Sequence, residues 1–222
     1  MKKVLVVAVH PDDETLGCGG TILRLVNEGC EVFWLILTDI NESVNFSPLK
    51  KEAREREIKE VANLYGFKGV FNLGIEPCTL DQVSKTVLLE KISNVIKQIG
   101  PEVIYLPFAF DVHSDHRVAF DALYSCTKTF RYPSIKRIYM METLSETEFA
   151  PSFQATSFIP NSYVNISQYL DLKLQIMKIF KSELGEHPFP RSLEGIRALA
   201  VYRGAASGFK YAESFMLLKD II

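Results

Sequence analysis

Two short segments hold most of the side chains able to do chemistry: His10-Pro11-Asp12-Asp13-Glu14 and His113-Ser114-Asp115-His116. Three of the chain's four histidines fall within them. Imidazole nitrogens and carboxylate oxygens are donors for catalytic zinc, at about 2.0–2.2 Å, and such sites usually keep three protein ligands and one open position. Two histidines and one carboxylate meet that count. The surplus groups then have work of their own. One carboxylate can take a proton from water, and a second His–Asp pair can serve an oxyanion or a leaving group. The plainer reading is that Asp12, Asp13 and Glu14 only cap a following helix and favour its dipole. Alone, either H-x-x-D or H-x-x-H is a weak motif; their joint placement after two strands is the stronger signal. His187, in His187-Pro188-Phe189-Pro190, reads as an ordinary loop residue.

Topology must bring the two segments together. Lys3 to Val9 is an apolar, β-branched run that suits a strand buried on both faces. Glycines 17, 19 and 20 lead into a helix from Thr21 that stops near Gly29. Val32 to Leu37 reads as the second strand; a helix runs from Ser47-Pro48 through Leu64 to Gly66, and Gly69 to Leu73 is the third strand. Asp81 is the expected cap of a helix reaching Ile99, Val103 to Leu106 is the fourth strand, and a helix follows from Asp115 to Lys128. Beyond this the pattern is less regular. Strands are expected at Lys136 to Met141, Tyr163 to Ile166 and Ala212 to Leu218. Helices are expected at Gln168 to Ser182, capped by Ser167, and at Ser192 to Ala200. Strands alternating with helices predict one domain over 1–222 with a parallel sheet and helices on both its faces. In the common order 3-2-1-4-5, strands 1 and 4 are neighbours, and ligands bind in the crevice between their carboxyl ends. His10 follows strand 1 and His113 follows strand 4.

Bulk properties narrow the class. The chain is 47% hydrophobic and 23% charged, ordinary for a globular protein, and its net charge of −2 carries no electrostatic footprint for nucleic acid. The apolar opening is only about six residues long, short for a signal peptide, and no run approaches the roughly 18 residues of a membrane span. The expected location is therefore cytoplasmic. Cys18, Cys30, Cys78 and Cys126 are scattered and read as thiols rather than disulfides or metal ligands.

At these residues the chain resembles the LmbE-like, or PIG-L, family of N-acetylglucosaminyl deacetylases. The likeness begins at Ala8-Val9-His10-Pro11-Asp12-Asp13-Glu14, continues through Leu16-Gly17-Cys18-Gly19-Gly20 and Leu37-Thr38-Asp39, and resumes from Arg54 to Gly66. It takes in His113 to His116, Tyr202-Arg203-Gly204, Gly208 and Tyr211 to Phe215. The resemblance implies a single-domain, three-layer α/β/α Rossmann-like fold with a mostly parallel sheet, and a hydrolase that removes the acetyl group from an N-acetylglucosamine-type sugar or glycoconjugate, leaving acetate and a free amine. It implies one Zn²⁺ per chain held by His10, Asp13 and His116, with Asp12 as general base. His113 would be an imidazolium near the oxyanion and leaving amine, with Asp115 holding its ring and charge, and Arg54 would contact substrate. Arg54 also lies one turn before Glu57, where a surface ion pair would account for it. Self-association into a homo-oligomer is compatible with such a family. The rivals are hydrolysis of another amide or ester bond on the same fold, and sugar binding by a protein that kept only the metal. Two departures touch possible specificity loops: Thr38-Asp39-Ile40-Asn41 replaces the family's usual Thr-Asp-Gly-Glu, and Ser114 stands where many members have proline.

Overall fold

A computed structural model describes residues 1–41 and 43–222. Its sheet has seven strands: β1 (Lys3–Ala8), β2 (Glu31–Thr38), β3 (Gly69–Ile75), β4 (Val103–Leu106), β5 (Arg137–Met141), β6 (Ser162–Asn165) and β7 (Ala212–Asp220). They lie in the order β3-β2-β1-β4-β5-β7-β6, so the expected 3-2-1-4-5 arrangement forms most of the sheet. β1 to β5 pair in parallel, while β7 runs antiparallel to both β5 and β6. Val4 of β1 sits in register with Val32 on one side and Val103 on the other.

Every side chain of β1 from Val4 to Ala8 is buried, because both sheet faces are covered. Val4, Val6 and Ala8 join a core completed by α1 (Asp13–Asn27), α2 (Pro48–Tyr65), α5 (Leu170–Met177) and α6 (Leu193–Ser207). Leu5, Val7 and Val9 join the opposite core, beneath α3 (Lys85–Ile99) and α4 (Ser114–Ser125). Alternation along one strand thus feeds two apolar layers, as a three-layer α/β/α fold requires.

Several boundaries differ from the sequence expectation, each for a local reason. α1 begins at Asp13 and continues through the glycines, with one non-helical residue, Cys18, at φ −149°. α3 is capped by the Ser84 hydroxyl, which accepts the Val87 N–H, while Asp81 lies in a preceding 3₁₀ turn. α5 is shorter than expected, and the Ser167 hydroxyl accepts the Tyr211 N–H instead of capping it. α6 is longer, running from the Ser192 cap to Gly208, whose φ of 75° ends it.

The bend at Cys18 leaves helix backbone groups unpaired, and two distant residues satisfy them. Glu213, on β7, accepts the N–H groups of Gly20 (2.9 Å) and Thr21 (2.7 Å) and the Thr21 hydroxyl. Lys173, on α5, donates to the Leu16 carbonyl (2.9 Å) and pairs with Glu213 (2.7 Å). Both side chains are buried. Close packing also needs the glycines: a Cβ on Gly19 would lie 2.5 Å from the Tyr65 hydroxyl, and one on Gly20 would lie 2.6 Å from Ile166.

Candidate active site

The chain leaves β1 and enters α1 through Asp12, whose backbone adopts φ 142° and ψ −26°. Positive φ in a non-glycine residue costs about 1–3 kcal/mol and persists only where its surroundings enforce it. Here the Asp12 N–H donates to Glu14 Oε2 (3.1 Å), and the Asp12 carbonyl accepts the N–H groups of Thr15 and Leu16. Glu14 is fully buried, and burial pushes its carboxyl up to about 8. The Thr15 hydroxyl donates to Glu14 and accepts from the Tyr65 hydroxyl, which ties this turn to α2. The same turn folds the Asp13 carboxylate back under the strand end, where Oδ2 accepts the N–H groups of Val9 (2.9 Å) and His10 (2.8 Å).

The second segment arrives from β4. His113 is the N-cap of α4: its Nδ1 accepts the Asp115 N–H at 3.1 Å. One turn on, His116 points inward. Its Nδ1 bonds to Asp111 Oδ2 at 2.8 Å, and Asp111 Oδ1 accepts the Thr147 hydroxyl at 2.7 Å. The rings of His10, His113 and His116 lie 4.6–5.8 Å apart, centroid to centroid. Strand adjacency has therefore joined segments about a hundred residues apart.

His10, Asp13 and His116 offer donor atoms that all lie within 4.8 Å of one another, and His10, His113 and Asp115 form a second such trio. The first trio has the stronger fit to a cation. His116 Nε2 is buried and, among the described residues, has no hydrogen-bond partner. Asp13 Oδ2 is 3.3 Å away, but not in hydrogen-bonding geometry. Behind each imidazole stands a carboxylate: Asp111 on His116, and Asp115 Oδ2 at 3.3 Å from His10 Nε2. Carboxylates on the far nitrogen fix the tautomer and ring orientation of metal-ligating histidines. Burial would lower the pKa of His116, yet Asp13 and Asp111 outweigh it and hold it well above its ordinary value. Burial would raise Asp13, but His116 and His10 hold it below the usual carboxylate range. The carboxylates around His116 thus favour positive charge at its ring.

Asp12 is buried beside this trio. Burial, then Asp13, Glu183 and Glu14, push its carboxyl well above its ordinary pKa. His113 is lowered by burial and by His10. One expected contact is differently made. The Asp115 carboxylate does not hold the His113 ring; it faces His10 and accepts the N–H groups of Cys78 (2.7 Å) and Leu80 (3.2 Å). Only the Asp115 backbone reaches His113. Because Nδ1 accepts that N–H, a neutral His113 carries its proton on Nε2, which differs from the imidazolium that the resemblance implies.

His10, Asp12 and Arg54 line a cavity of about 510 Å³, together with Glu183 and the apolar Phe46 and Pro77. Arg54 is more than the partner of Glu57, which it meets at 3.4 Å. Its guanidinium donates to the Pro11 carbonyl (2.9 Å), the Ser182 hydroxyl (3.1 Å) and the Glu183 carboxylate, with only 11% of the side chain exposed. Sequence reading missed Asp111, Glu146 and Glu183. Asp111 stands two residues before His113, so the acid near the histidine pair was visible, whereas Glu146, which accepts the His113 N–H (3.2 Å), and Glu183 come from remote loops.

Fold and site together define a doubly wound α/β protein that gathers a His–Asp–His donor trio in the crevice at the switch point of its sheet. The chain belongs to the PIG-L family, described as GlcNAc-PI de-N-acetylase, whose family model matches residues 5–127. It is 28% identical to the diacetylchitobiose deacetylase of Thermococcus kodakarensis, in an alignment covering 100% of this chain and 85% of that protein. Among solved structures, a conserved protein from Thermus thermophilus is similar with a TM-score of 0.79 and 27% identity, over 100% of this chain and 97% of that one. The N,N'-diacetylchitobiose deacetylase from Pyrococcus horikoshii shares the fold, with a TM-score of 0.78 and 23% identity over 98% and 84% of the two chains.

Proposed function

We propose that the protein is a zinc-dependent N-deacetylase that hydrolyses the acetamide of an N-acetylglucosamine-type sugar or glycoconjugate. The observation that carries this reading is His116 Nε2, buried, unpartnered among the described residues and turned toward Asp13, beside a cavity that Asp12 lines. Family membership and the deacetylase relatives support the acetamide as the bond cleaved.

His10, Asp13 and His116 would hold one Zn²⁺, since two imidazoles and a carboxylate are the donor set of catalytic zinc. When bound, the cation lowers the pKa of water and polarises the acetyl carbonyl. Asp12 accepts the water proton; it adjoins Asp13 in the chain and lines the cavity. The strained backbone at Asp12 serves that aim, because Glu14 and the α1 amides fix where its side chain starts. His113 Nε2–H would donate to the carbonyl oxygen as it gains charge, an interaction that strengthens in the transition state. An amide nitrogen leaves poorly unless protonated, so the proton taken by Asp12 is returned to the departing amine. One hydrogen of water passes to the amine and its OH to the acetyl group, whose acid then ionises, so acetate, the free amine and one proton account for every atom.

The four cysteines are all free thiols, as suits a reducing compartment, and on that ground we place the reaction in the cytoplasm. No helix among the described residues is long and apolar enough to cross a membrane. The test is acetate release by the zinc-loaded protein from N-acetylglucosamine, diacetylchitobiose and other N-acetylglucosaminides. Release from none of them, with turnover of an unrelated ester or amide, would replace this reading by the other hydrolase. Sugar binding with no turnover of any kind would leave a binding protein.

A further inference from the structure

We infer that Glu183 is a specificity-determining residue, whose Oε2 accepts a hydroxyl of the sugar; this rests on the deacetylase reading above. Glu183 lies on the segment after α5, remote in sequence from both histidine motifs, yet it lines the same cavity as His10 and Asp12. Its carboxylate is held from two sides. Oε1 accepts from the Arg54 guanidinium and from the Ser182 hydroxyl (2.8 Å). Arg191 Nε donates to the Glu183 carbonyl (2.9 Å), so the backbone is fixed as well. Oε2 is different: among the described residues it meets only Arg191 Nη2, at 3.5 Å, beyond the usual 2.7–3.2 Å of an N–H···O bond. A carboxylate oxygen accepts two bonds. One oxygen is thus filled, and the other, on a residue that lines the cavity, keeps capacity to spare.

The two arginines set this orientation from opposite ends of the site. Arg54 also holds the Pro11 carbonyl, one residue before Asp12. Arg191 Nη1 donates to the Ser145 hydroxyl (2.8 Å), and the next residue, Glu146, accepts the His113 N–H. Glu183 therefore stands in a polar arc linking the Asp12 turn to the His113 cap. A ligand group bound at Oε2 has a fixed position relative to both. Neighbouring Asp39 is more fully occupied: both its oxygens already accept N–H groups, Oδ1 from the Asn41 backbone and Oδ2 from the Asn41 and Asn72 amides. An acceptor-only group with a free lone pair selects a donor, and the donors of an N-acetylated sugar, apart from its amide, are its hydroxyls.

Glu183→Gln isolates the point. The amide keeps one oxygen for Arg54 and Ser182 and replaces Oε2 by an N–H donor, so the open acceptor is lost together with only the long Arg191 contact. For N-acetylglucosamine or diacetylchitobiose, whichever the wild type turns over faster, we expect kcat/KM to fall about 10–100-fold, carried by KM, with zinc content and Tm unchanged. Glu183→Ala should lose more, because Arg54 is freed as well. Against 3-, 4- and 6-deoxy N-acetylglucosamine, one analogue should bring wild type and Glu183→Gln to the same kcat/KM. Equal kcat/KM for wild type and Glu183→Gln on the parent sugar overturns this inference alone. So does an equal loss in Glu183→Gln on every deoxy analogue. A wild type inactive on all N-acetyl sugars overturns the functional reading, and this inference with it.

Discussion

Asp111 gives the sharpest test of the proposed cation site, because it touches only the far side of one ligand. Its Oδ2 is 2.8 Å from His116 Nδ1, its Oδ1 takes the Thr147 hydroxyl, and no part of it is exposed. Asp111→Ala removes the acceptor that keeps Nδ1 protonated and Nε2 free. Carboxylates behind a metal-ligating imidazole are worth about 10–100-fold in metal affinity, or about 1.4–2.8 kcal/mol. The change also leaves the Nδ1–H and the Thr147 O–H without an acceptor, at about 1–3 kcal/mol per stranded donor, offset by no longer burying a carboxylate. A net loss of about 1–2 kcal/mol lowers Tm by about 2–8 °C in a domain of this size. Asp111→Asn keeps an oxygen for Nδ1–H, so it should recover most of the affinity. Zinc competition against a chromophoric chelator reads the dissociation constant for wild type and both variants. Wild-type affinity in Asp111→Ala would show that His116 needs no orientation from Asp111, and the carboxylate–imidazole–cation arrangement would fall.

Four further outcomes follow from the same geometry. Asp12→Asn should bind zinc as the wild type does while kcat falls about 10²–10⁴-fold, the usual contribution of a general base; unchanged acetate release would remove Asp12 from that role. His113→Ala should lower kcat by about 10²–10³-fold, the cost of one oxyanion donor, and His113→Gln, which still offers an N–H, should lose less. Equal losses in the two variants would count against a neutral donor at Nε2. Chelation should abolish acetate release and lower Tm by about 5–11 °C, from the ~2.7 kcal/mol that ligand at a hundred times its dissociation constant contributes. Turnover that survives complete zinc removal would exclude a catalytic cation. Lys173→Met leaves the buried Glu213 carboxylate without its counter-charge, which costs about 3 kcal/mol and lowers Tm by about 6–12 °C by thermal melt. A Tm within a degree of wild type would mean that the α1 amides alone satisfy Glu213.

What the sequence disclosed, and what it withheld, divides along the range of the interactions. β1 was legible because a strand buried on both faces must be apolar throughout, and its end was marked where His10 breaks the run. The order 3-2-1-4-5 followed from short strand–helix–strand units, and it brought His10 and His113 to one crevice with no knowledge of side-chain contacts. The start of α1 was misread because Gly17, Gly19 and Gly20 carry a local preference against helix. That preference is overruled by Glu213 and Lys173, 150 or more residues away, which cap the groups freed at Cys18. The same limit applies inside the site. Motif spacing supplied the residues within a few positions of each histidine, but not the pairing of Asp115 with His10, which crosses from α4 to the end of β1. Nor could it supply Glu183, whose relevance exists only because Arg54 and Arg191 converge on it. The proposed reaction chemistry thus lies in two compact motifs, whereas the groups proposed to aim it and to select the sugar are assembled by the fold from distant loops. Substitutions in the 180–191 segment should therefore change which sugar is used before they change whether an acetamide is cleaved.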